Sequence, residues 1–78
     1  MPELPLISAK KFLALLLKYG CEEVRVRGSH HRVLNPKNGK SSVLPVHSGR
    51  DLKRGTFAGI LRQLGIDSTD FILFMRGA

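Results

Sequence analysis

Three histidines, His30, His31 and His47, lie inside the most basic stretch of the sequence. Imidazole ordinarily titrates near pH 6.5, so these are the side chains best suited to moving protons at neutrality. Residues 25–54 hold eight basic side chains (Arg25, Arg27, Arg32, Lys37, Lys40, Arg50, Lys53, Arg54) and one acid, Asp51. That segment carries the whole net charge of +7, and the rest of the 78 residues balances. A positive field confined to one stretch points to a polyanion, and nucleic acid fits best. A metal centre does not fit. His30 and His31 are adjacent, so on a strand they point to opposite faces, and Asp51 is the one carboxylate nearby. No cofactor is expected. A Ser–His–Asp triad does not fit either, because Ser29 and His30 would not face one another.

RNA cleavage asks for less. The substrate supplies its own nucleophile, the 2′-hydroxyl beside the phosphate. The protein must supply a base for that proton, cations for the phosphorane and an acid for the leaving oxygen. Nearby Arg25, Arg27 and Arg32 would be expected to favour the uncharged imidazole that a base requires. His30 would share a strand face with these arginines, and His31 would share the face of Val33. His30 is therefore the expected catalytic base. Arg25, Arg27, Arg32, Lys53 and Arg54 are the expected phosphate contacts, and His47 a further candidate for substrate contact or the acid role. The four Phe and one Tyr are not interleaved with the basic residues, so stacking of bases on aromatic rings is not expected.

The elements that must position these groups show in the hydrophobic period. Ser8 is a helix cap, followed by Ala9, Phe12, Leu13, Leu16 and Leu17 on one face, with Gly20 at the end; this predicts a helix over about 9–19. From Glu22 the period is two, with Val24 and Val26 facing the core and Glu23, Arg25 and Arg27 facing away. Gly28-Ser29 is a turn, His30 to Leu34 a second strand, Asn35 to Lys40 a turn region and Ser41 to Val46 a third strand. His47 to Gly55 is a polar loop. Lys53-Arg54 open a second helix carrying Phe57, Ile60, Leu61 and Leu64, with Gly55-Thr56 allowing close backbone approach and Gly65 at its end. Asp67 and Asp70 resemble a capping box before a short last helix with Phe71, Ile72 and Met75. The expected fold is α+β, α-β-β-β-α with a short extra C-terminal helix, its three-stranded antiparallel sheet packed on the helices. Residues 1–78 are expected to form one domain. Cys21, the single cysteine, reads as a small buried hydrophobe.

The run Gly20-Cys21-Glu22-Glu23-Val24-Arg25-Val26-Arg27-Gly28-Ser29-His30-His31 resembles the signature of HicA-type toxins, also called the YcfA-like family. So does Val43-Leu44-Pro45-Val46-His47 with Asp51-Leu52-Lys53-Arg54-Gly55-Thr56-Phe57, Ile60-Leu61 and Leu64-Gly65-Ile66. Cys21 and Val33 stand where the family often has aromatic residues. The resemblance implies a double-stranded-RNA-binding-domain-like fold and a metal-independent mRNA interferase, the toxin of a toxin–antitoxin pair. It implies a HicB-type antitoxin partner and places the family's essential histidine at His30. On this reading the antitoxin docks on the basic face and masks His30.

The alternative is a non-catalytic double-stranded RNA-binding module. The start Met1-Pro2-Glu3 lacks the basic region of a secretory signal, and no apolar run reaches the ~18 residues of a membrane span, so the expected location is the cytoplasm.

Overall fold

The computed structural model describes residues 6–47 and 50–77. Met1-Pro2-Glu3 and Ser48-Gly49 of the polar loop lie outside the described residues. Helix α1 is Ala9–Tyr19. The Ser8 hydroxyl accepts from the Lys11 backbone N–H at 3.1 Å, and Gly20, at φ 120°, ends the helix so that the Cys21 N–H reaches the Leu16 carbonyl at 3.0 Å. Ala9, Phe12, Leu15 and Leu16 are buried, whereas Leu17, expected on that face, is 43% exposed. At 3.6 residues per turn, position 17 lies about 140° around the helix from Phe12 and position 15 only about 60° away.

The strands are β1 Glu22–Arg27, β2 His30–Asn35 and β3 Lys40–Pro45, in the order β1-β2-β3 and antiparallel throughout. Gly28, at φ 60°, turns β1 into β2. Arg27 opposes His30, and His30 opposes Pro45; Arg25 opposes Arg32, and Arg32 opposes Val43. One departure from the expected alternation is a bulge in β1 between Glu23 and Arg25. Glu23 faces Val33 while Arg25 faces Arg32, so two residues that strict alternation would put on one face lie on opposite faces. Val24 is the extra residue. Val24 and Val26, expected in the core, are 51% and 52% exposed. The aromatic core lies behind β2 and β3 and leaves this edge strand uncovered.

Helix α2 is Arg54–Gln63 and helix α3 Ser68–Gly77. Lys53 precedes α2 in extended conformation. Gly65, at φ 68°, closes α2, with the Ile66 N–H on the Leu61 carbonyl at 2.9 Å. Asp67 caps α3 by accepting the Asp70 N–H at 3.1 Å. The β2–β3 turn is tied to the end of α2: Asn35 and Asn38 both donate to the Leu64 carbonyl, at 2.9 and 3.0 Å. Helix ends leave carbonyls unpaired, and these two amides answer one of them.

Helices α1 and α2 pack on one side of the sheet, and α3 packs on those two helices. Phe12 stacks on Phe57 at 4.4 Å, and Phe71 meets both rings edge-on. Tyr19 and Phe74 extend the cluster, which thus holds every Phe and Tyr of the chain. Val33 and Leu44 close it from the sheet. Each of the three fully buried Phe contributes roughly 1.5–3 kcal/mol by leaving water. The observed α-β-β-β-α-α order, with an antiparallel sheet on helices, agrees with the expected double-stranded-RNA-binding-domain-like fold.

Candidate active site

The other side of the sheet is open. Three rows of side chains face outward, as the register dictates: Arg27, His30 and Pro45 nearest the β1–β2 turn, then Arg25, Arg32 and Val43, then Glu22, Leu34 and Ser41. Arg25, Arg27, His30, Arg32 and Val43 line a shallow recess of about 160 Å³. His30 is exposed, as are the three arginines. Arg32 donates to the Ser41 hydroxyl at 3.3 Å, which steadies its guanidinium over β3. A guanidinium carries five N–H donors, so one such bond leaves capacity for a phosphate. Among the described residues no carboxylate forms an ion pair with Arg25, Arg27 or Arg32.

His31 lies on the opposite face beside the helices. Its Nδ1 is 2.9 Å from the Glu23 carboxylate, a contact made possible by the β1 bulge. The two adjacent histidines therefore have different surroundings: one stands among cations, the other is held by an acid.

His47 and Lys53 line a second recess, with Arg50, Asp51, Thr56, Pro45 and others, of about 330 Å³. The segment before α2 is anchored to the start of α1, since the Leu52 N–H donates to the Ile7 carbonyl at 2.8 Å and Asp51 bridges to Ser8. The two recesses are neighbours: His30 lines the first, and its cross-strand partner Pro45 lines the second. Arg54 is the first residue of α2 and lines neither. Gly55 sits within α2, and among the described residues nothing outside its own helix comes within 4 Å of where its side chain would stand. Val43 is a lining residue that sequence reasoning missed. Its signal was strand parity, two positions before Pro45 on β3.

A family model described as HicA toxin of bacterial toxin-antitoxin matches residues 9–66. The chain belongs to the HicA toxin family. No curated protein matches it. Membership makes the chain the toxin part of a toxin–antitoxin system and implies an antitoxin partner. In this HicA-family chain α3 lies beyond the matched residues, yet its Phe71 completes the aromatic core.

Cys21 is buried, and burial pushes its thiol pKa up, so it is an inert packing group. Burial foremost, with the Asp70 carboxylate next, raises the Tyr19 phenol. Among the described residues no three His, Cys, Asp or Glu side chains gather around one ion position, and no helix is long and apolar enough to cross a membrane.

Proposed function

We propose that this HicA-family toxin is an endoribonuclease that cleaves mRNA in the cytoplasm, with His30 as the general base. One observation carries the reading: the exposed ring of His30 shares an open recess with Arg25, Arg27 and Arg32.

A phosphodiester seated there turns its non-bridging oxygens toward the guanidiniums. His30 takes the proton of the adjacent 2′-hydroxyl, and the freed oxygen attacks phosphorus. The arginines neutralise the phosphorane. The bond to the 5′-oxygen then breaks, leaving a 2′,3′-cyclic phosphate on one fragment and a 5′-hydroxyl on the other. The leaving oxygen takes a proton from an acid, and His47 in the adjoining recess is the candidate. Lys53 and Arg54 hold phosphates further along the strand. A positioned base contributes ~10²–10⁴-fold, and electrostatic stabilisation adds to that. The antitoxin silences the enzyme by covering His30 and the cations together.

The test compares wild type with His30→Ala in EDTA on a defined RNA. Wild type cuts, while the variant binds equally well and cuts ~10²–10⁴-fold more slowly. Replacing the ribose 5′ of the cut by deoxyribose abolishes cleavage. Equal cutting by both proteins, or cutting at the deoxyribose, contradicts the reading. An RNA bound but never cut by wild type leaves the double-stranded-RNA-binding alternative.

A further inference from the structure

The open face is divided lengthwise. Around the recess its β1 and β2 columns carry Arg25, Arg27, His30 and Arg32, with Glu22 and Leu34 in the row beyond, while the β3 column carries Pro45 and Val43 with Ser41 in that same outer row. Val43 is the one apolar side chain lining the recess, and it is 38% exposed although it sits mid-strand. It stands directly across from Arg32. Cations suit phosphates, and aliphatic surface suits the face of a base or ribose. Every Phe and Tyr is packed behind the sheet, so no such ring is available for stacking on this side.

We propose that this face takes single-stranded RNA with its phosphates over β1 and β2 and a base over β3, and that Val43 is the contact that selects the base beside the cut. The inference rests on the nuclease reading above and names its substrate form. Bases in an A-form duplex are stacked, and their faces cannot reach an aliphatic strip. A single strand can splay one base onto Val43 while its phosphate stays with the arginines. The double-stranded-RNA-binding-like fold order would suggest a duplex recognised by shape. The division of this sheet face favours the single strand.

The experiment maps cut sites in a pool of unstructured RNA with wild type, Val43→Ala, Val43→Phe and Val43→Thr, and repeats the best site inside a duplex. Wild type cuts the single strand about a hundredfold faster than the duplex, because extracting a base from the stack is costly. Val43→Ala lowers kcat/KM about tenfold, the low end for lost apolar contact at an open site. Val43→Phe changes which bases flank the cuts, and Val43→Thr, close in shape, keeps the wild-type pattern. Urea melts establish that the variants fold. If the folded Ala and Phe variants cut with the wild-type rate and pattern, or if single strand and duplex are cut equally, the proposal is overturned and the strip is left to a protein partner. If wild type cuts no RNA at all, the nuclease reading falls and this proposal with it.

Discussion

The two faces of one sheet have opposite compositions on the same strands. On β2, Val33 and Asn35 point to the helices and are buried, while His30 and Arg32 point outward and are exposed. On β3, Ser42 and Leu44 are buried and Val43 is not. The covered face holds its residues by packing. The open face can carry charge because water solvates it and because β2 is fixed from behind. A one-residue slip of β2 would exchange the faces, sending His30 into the core and Val33 into water. The hydrophobic face thus fixes the register that aims the histidine.

The largest effects should fall on the covered face. Phe12→Ala removes the stack on Phe57 and the edge contact with Phe71, and should cost about 3–5 kcal/mol in a urea melt. A loss under 1 kcal/mol would mean that the rings do not hold the helices to the sheet. Asn35→Ala should cost about 0.5–1.5 kcal/mol, since it removes a buried hydrogen bond to the Leu64 carbonyl while Asn38 keeps that carbonyl partnered. Glu23→Gln is a milder test, because the His31 contact is partly exposed; about 0.2–1 kcal/mol is expected. On the open face, Arg32→Ala should change stability by under about 0.5 kcal/mol. It should instead weaken RNA binding and lower the salt slope by about 0.7, one phosphate contact on a single strand. A large stability loss with an unchanged salt slope would reverse the division of labour between the faces. The smallest signal concerns Cys21. Its raised pKa and burial predict that alkylation in the native state stays slow as pH passes the usual thiol range, and quickens in urea.

Much of this division was legible in the sequence, for local reasons. Ser8, Gly20, Gly65 and Asp67 mark helix ends because capping is local chemistry, and the structure has them in those positions. His30 and Arg32 could be assigned to one face because a two-residue turn at Gly28-Ser29 leaves β2 little freedom. The β1 bulge was not legible. Glu23 to Arg27 alternates without a flaw, and only the fold decides that Val24 is expelled and Glu23 meets His31. Leu17 misled for a similar reason: a leucine-rich helix offers more apolar positions than its neighbours cover. The basic residues read as one field, yet Arg25, Arg27 and Arg32 line one recess, Arg50 and Lys53 line the other, and Arg54 lines neither. That division depends on the loop before α2 being tied back to Ile7 and Ser8, far away in sequence.

Adjacent histidines on opposite faces offer the sharpest measurement. Cleavage of one RNA by His30→Ala and His31→Ala, each confirmed folded, should separate them: the first falls by at least about a hundredfold, the second stays near wild type. Equal loss in both, or loss only in His31→Ala, would contradict the assignment of the chemistry to the open face.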